Sequence, residues 1–231
     1  MTRWGLLISA AAILLMTVLY FWAGAGVGPV VQFSFVELAS ADARPTGSAA
    51  LTVLGLLPFL AAILALLFAG LQRVEPLRAN LARGKRCFLI AWAGTQLILL
   101  AIAWMLATDL RAEAQGSTTD IGWRGAMAIG CGILFLVADS LPKTRRNFLF
   151  GVRTPWTLSS DLSWERTHRL AGRLFMLVAL AGLVSALTLR SQALVYTFIL
   201  PAVAAALACV IYSYVIWRRD AQRFSGEIED E

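Results

Sequence analysis

The chain holds one histidine, three cysteines and few charges: 15% of its 231 residues are Asp, Glu, Lys or Arg. Each scarcity removes a class of function. A metal centre built around His168 would need carboxylates or thiolates at ligand spacing beside it, and no such spacing is present, so neither metal nor cofactor is expected. Cys87, Cys131 and Cys209 are odd in number and lie in or beside apolar runs, which reads as small packing side chains and not a disulfide framework. A nucleophile elbow, a phosphate-cradling glycine loop and a zinc-protease His-Glu pair are all missing, and Ser159 and Ser160 have no histidine base at fixed spacing, so no catalytic residue is assigned and an enzyme is not expected.

What is abundant is apolar. A hydrophobic share of 59% and a mean hydropathy of +0.72 exceed what a soluble domain carries and describe an integral membrane protein. The net charge of +6 does not point to nucleic acid, because the arginines cluster at the flanks of apolar runs, where membrane chains carry their orientation signal. The lipid bilayer is therefore the first partner.

Six spans follow in order. Trp4 to Gly24 is the first, broken by Gly24, Gly26, Gly28 and Pro29; Ala23-Gly24-Ala25 resembles a signal-peptidase site, but the stretch exceeds the roughly 7–15 residues of a signal core. Val30 to Pro45 forms a loop. Gly47 to Leu71 is the second span, with Pro58 inside it predicting a kink. Phe88 to Ala107 is the third, and its Gln96 is expected to face protein, since an amide turned to lipid is costly. The fourth, about Gly122 to Leu141, carries Gly125, Gly130 and Gly132, a pattern that predicts close helix approach. The fifth rises from an amphipathic start to end near Leu189, and Ala193 to Trp217 is the sixth. The expected architecture is all-α and polytopic: one six-helix membrane domain over residues 1–221, then an acidic, disordered tail over 222–231.

Charge counting gives an orientation. With the N-terminus inside, sixteen of the twenty Lys and Arg residues fall on the inner side, and Arg44, Arg111, Arg124 and Arg190 fall outside. That asymmetry predicts both termini in the cytoplasm.

Between the fourth and fifth spans lies a polar, basic connector too rich in special residues to be a tether. Pro142 and Pro155 fix the backbone, Gly151 allows conformations other residues avoid, and Trp156 and Trp164 carry rings suited to a membrane interface. Ser159 or Ser160 can cap the next helix, with Asp161 in its first turn. Along that helix Trp164, His168, Ala171 and Phe175 share one face, while Glu165, Arg169 and Arg173 share another. Asp139, at the carbonyl end of its helix, needs a cation, and Arg145, Arg146 or Arg153 is the expected partner. His168 is expected to pack beside Trp164 and donate a hydrogen bond to the connector. Arg153, Trp156 and Trp164 could frame a pocket for a peptide or a lipid headgroup, or simply anchor the interface.

The order of these residues resembles the signature of the SdpI family of bacterial membrane immunity proteins. It reads Pro142-Lys143, Asn147, Gly151-Val152-Arg153-Thr154-Pro155-Trp156-Thr157-Leu158, Trp164 with Thr167-His168-Arg169, Gly172 and Phe175. The match is dense over 139–175. It departs from the family in having Asp139 near a position where asparagine is expected, and in lacking a recognisable proline- and histidine-containing first loop between Gly26 and Gly47.

The resemblance implies protection of the producing cell against a secreted, membrane-active peptide toxin, at the bacterial cytoplasmic (inner) membrane. It also implies a possible second partner, a cytoplasmic transcriptional repressor recruited to the membrane. The signature residues it marks as partner- or ligand-binding are Asp139, Pro142, Lys143, Arg145, Arg146, Asn147, Gly151, Arg153, Thr154, Pro155, Trp156, Thr157, Trp164, Thr167, His168 and Gly172. The alternatives are a small transporter or channel, which would need a continuous polar path, and a membrane sensor with no protective role.

Overall fold

In a computed structural model the chain is described over residues 2–27, 47–74, 85–117, 121–148, 150–188 and 192–221. The Val30–Pro45 loop, Arg78 and Arg83 in the second-to-third loop, and the acidic tail lie outside these residues. Among the described residues the fold is all-helical: α1 (Thr2–Val27), α2 (Gly47–Val74), α3 (Lys85–Ala114), α4 (Ile121–Ser140), a 3-10 turn (Leu141–Lys143), the short α5 (Pro155–Ser159), α6 (Asp161–Thr188) and α7 (Gln192–Arg219). Six of these helices are long and apolar enough to cross a bilayer. Each matches an apolar run of the sequence, and the protein is a polytopic helical membrane protein.

Packing divides the chain into two compact units, Met1–Ala69 with Trp92–Gly130 and Gly70–Ala91 with Cys131–Glu231. In the first unit a core of Met16, Leu54, Ala61, Ala103 and Leu110 joins α1, α2 and α3. Polar groups inside it bond to one another: Ser9 Oγ accepts from Trp92 Nε1 at 3.0 Å, and Gln96, fully buried, donates from Nε2 to the Ala61 carbonyl at 3.1 Å. Gln96 thus faces protein, as lipid exclusion requires. At one end of this unit the Arg111 guanidinium lies 4.5 Å from the centre of the Trp22 ring.

The α4 glycines act unequally. A side-chain carbon on Gly125 would come within 2.1 Å of Trp104, and one on Gly122 within 2.1 Å of Thr108 Oγ1, so these two permit close approach to α3. Among the described residues nothing of its own unit lies within 4 Å of a side-chain carbon placed on Gly130 or Gly132, so neither makes the close approach within its unit that the pattern predicts. In the second unit α6 packs along α7, Gly182 sits close to Cys131 and Phe198, and all three cysteines are free and buried, as packing residues are.

Candidate functional site: a pinned connector against one face of α6

The connector is a built structure within the second unit. Leaving α4, the chain tightens into the 3-10 turn at Leu141, where Pro142 supplies a preset φ. The Leu141 carbonyl then accepts from both the backbone N–H and the hydroxyl of Thr144, at 3.1 and 2.7 Å. Asn147 bridges the next bend: its Nδ2 donates to the Arg145 carbonyl at 2.8 Å, and its Oδ1 accepts from the Phe150 N–H at 2.7 Å. This is the local bonding that suits asparagine to turns.

Thr154 then caps α5 reciprocally. Its Oγ1 accepts from the Thr157 N–H at 3.2 Å, while Thr157 Oγ1 accepts from the Thr154 N–H at 3.0 Å, forming a capping box with Pro155 at the first helical position. Thr157 is fully buried and also donates to the Val152 carbonyl at 2.8 Å. Of the two candidate caps for α6, Ser160 is the one used: its Oγ accepts from the Ser163 N–H at 3.0 Å. Ser159 bonds instead to the Pro155 carbonyl at 2.8 Å.

Three residues of α6 at i, i+4 and i+8 hold the connector, a spacing that places them on one helix face. Trp164, buried, donates from Nε1 to the Thr144 carbonyl at 3.2 Å. His168, also buried, stacks on the Trp164 indole with ring centres 4.0 Å apart. Its Nε2 accepts from the Val152 N–H at 3.0 Å, so the ring proton sits on Nδ1 and is donated to the Trp164 carbonyl at 2.8 Å. The expectation that His168 donates to the connector is therefore reversed: the connector donates and the ring accepts. Gly172 lets α6 close on α4, since a side-chain carbon there would stand 2.8 Å from Pro142 Cγ and 2.9 Å from the Ala138 carbonyl. Gly151 completes the clamp with φ of +114°, a backbone region glycine reaches without strain, and its missing side chain leaves room for His168 Nε2.

α7 closes the far side, through residues the sequence did not single out. Ser213 Oγ lies 3.1 Å from Thr154 Oγ1, the Ser213 carbonyl accepts from Ser163 Oγ at 2.9 Å, and Ser160 Oγ bonds to the Asp220 carboxylate. The available signal was a set of hydroxyls placed inside or beside apolar runs, where each needs a partner.

The charged residues are arranged differently from expectation. Asp139 pairs with Lys143, one turn on, at 2.7 Å, and not with Arg145, Arg146 or Arg153. A neighbour at i+4 was within easier reach than any arginine past the 3-10 turn, and because both side chains are over half exposed the pair adds little stability. Arg146 instead reaches forward, donating to the Leu158 carbonyl at 3.2 Å and approaching Asp161 at 3.5 Å. Arg153 donates to the Phe148 carbonyl and is otherwise exposed, as is Arg145.

Trp156 packs on Tyr214, with ring centres 5.1 Å apart. No hydrogen bond, ion pair or ring contact among the described residues joins Arg153, Trp156 and Trp164 into one pocket. Thr167 is fully buried, and its Oγ1 has no partner among the described residues. No three His, Cys, Asp or Glu side chains among the described residues could hold a metal ion.

Within the first unit, a separate groove of about 610 Å³ lies between α1 and α2, lined by Thr17, Tyr20, Phe21, Gly55, Leu56 and Phe59. Its lining is largely apolar, and Phe21, Leu56 and Phe59 are exposed at its edge.

Fold and connector together define a class: a polytopic helical membrane protein with a rigid polar elbow between two of its spans. The model of the SdpI/YfhL protein family matches residues 143–213, and so bears out the family resemblance over the connector, α5, α6 and most of α7. No curated protein and no solved structure matches the chain.

Proposed function

We propose that this is a non-catalytic immunity protein of the bacterial cytoplasmic membrane, which protects its cell against a secreted, membrane-active peptide toxin. One observation carries the reading: the SdpI/YfhL match begins within the connector and ends at Ser213, the α7 residue that closes it. The family pattern thus coincides with the pinned elbow and its α7 backing. In this reading the helices engage the toxin inside the bilayer, where the outward-facing groove between α1 and α2 offers apolar lining of suitable character. The elbow holds the second unit in its working shape, and the distribution of Lys and Arg supports a cytoplasmic elbow with both termini inside. There Arg145 and Arg153, both exposed, are available to a soluble partner such as a repressor.

The transport alternative finds less support. Among the described residues no Asp, Glu, Lys or Arg is fully buried, and His168, which is, has both ring nitrogens bonded within the connector and α6.

Expression in a toxin-sensitive strain is expected to raise survival under toxin challenge. Arg153→Ala and Trp156→Ala should each abolish that gain while membrane-fraction protein stays level. Unchanged survival with the parental chain overturns the reading. Loss of a repressor's co-purification in Arg145→Ala or Arg153→Ala, with no effect of any variant on survival, would favour the sensor alternative.

A further inference from the structure

One outward stripe of α6 changes character within a single turn. Arg166, Arg169, Arg173, Leu177, Leu180, Val184 and Leu187 follow one another at spacings of three and four residues, which keeps them on one side of a helix. All seven are exposed, and the four aliphatic ones are the surface that hydrocarbon solvates. Four residues, or about 6 Å of helix rise, separate Arg173 from Leu177. With the edge of the hydrocarbon drawn where the stripe turns aliphatic, the Arg173 guanidinium falls within reach of the lipid phosphates, and Arg166 lies two turns further out.

Carboxylates on this helix neutralise only the middle arginine of the stripe. Glu165 is paired with Arg169, and Asp161 with Arg146. Arg166 and Arg173 have no carboxylate or hydrogen-bond partner among the described residues. Two exposed, uncompensated guanidiniums directly above an exposed aliphatic stripe have the charge and geometry to take phosphate oxygens in forked hydrogen bonds while acyl chains lie along the leucines below.

We propose that the Arg166–Arg173 face of α6, with the aliphatic stripe beneath it, is a binding seat for anionic phospholipid. Selection rests on net charge: a zwitterionic headgroup brings its own cation close to the guanidiniums, whereas a phosphatidylglycerol headgroup brings none. The seat is independent of any toxin.

The test uses the full chain purified in detergent and equilibrated with equimolar phosphatidylglycerol and phosphatidylcholine, with retained lipids counted by native mass spectrometry. The unmodified protein is expected to retain phosphatidylglycerol preferentially. The Arg166→Gln/Arg173→Gln double variant should lose that preference, by about fivefold per guanidinium removed, and the Arg166→Lys/Arg173→Lys double variant should keep most of it. Arg86→Gln/Arg219→Gln removes the same charge at two other exposed positions and should leave the preference intact. Circular dichroism with a monodisperse elution profile confirms folding for each variant. Equal loss in the two glutamine doubles would mean diffuse attraction to net charge and overturn the seat. Absence of any phosphatidylglycerol preference in the unmodified chain would also overturn it, and would turn attention to an acidic protein surface.

Discussion

Replacing Gly151 by alanine asks two things of the connector at once. The backbone would have to hold a β-carbon at φ of +114°, and that carbon would stand 2.1 Å from His168 Nε2. The first demand alone costs about 1–3 kcal/mol, and the second forces the ring off the Val152 N–H. Gly151→Ala is expected to lower the resistance of the purified protein to denaturant-induced loss of helicity and to open the connector to protease. His168 makes the complementary case. His168→Leu leaves the half-buried Val152 N–H without its acceptor, at a cost of about 1 kcal/mol, whereas His168→Gln carries an amide oxygen able to take over the bond and should recover part of the loss. Equal destabilisation by the two, measured by the same unfolding assay, would mean that packing against Trp164 and not the hydrogen bond sets the contribution of His168.

Among the elements, the two adjacent serines between α5 and α6 differ in what they hold. Ser160 accepts from the Ser163 N–H at the N-terminus of a 28-residue helix, and its hydroxyl also meets Asp220. Ser159, exposed, only bonds back to a carbonyl within α5. Ser160→Ala is expected to cost about 1 kcal/mol, and Ser159→Ala close to nothing, in the same unfolding measurement. The pair separates a cap from a neighbour that looks identical in the sequence. Much of this level was legible there. Apolar run lengths located all six long helices, the spacing of Trp164, His168 and Ala171 identified the buried face of α6, and the prolines bracketed the connector. What sequence spacing could not supply was direction and partner. It could not show that Nε2 of His168 receives a hydrogen bond, because that depends on where Val152 is carried by a glycine turn sixteen residues earlier. Nor could it show that Asp139 would take Lys143, since the 3-10 turn that swings the arginines away is a property of backbone geometry. Ser213 and Asp220 meet their partners through helix packing over fifty or more residues of separation, so the sequence could mark Ser213 as a hydroxyl in need of a partner but not name that partner.

At the scale of the whole molecule, charge distribution makes the orientation testable. With sixteen of twenty basic residues assigned to one side, a cysteine placed at the exposed position 145 is expected to resist a membrane-impermeant maleimide in intact cells and to react once the membrane is permeabilised. Labelling in intact cells would invert the chain and remove the cytoplasmic partner from the proposal. The three native thiols are buried and free, so they should contribute little background.

The bond between Thr154 and Ser213 also bears on how the protein is made. The elbow emerges from the ribosome well before α7, yet its capping threonine and the first turns of α6 rest on hydroxyl and carbonyl groups that α7 brings. Until that last helix enters the bilayer, the nascent elbow lacks one wall. A chain cut short before residue 213 would carry nearly all of the connector's own residues and still be unable to set it.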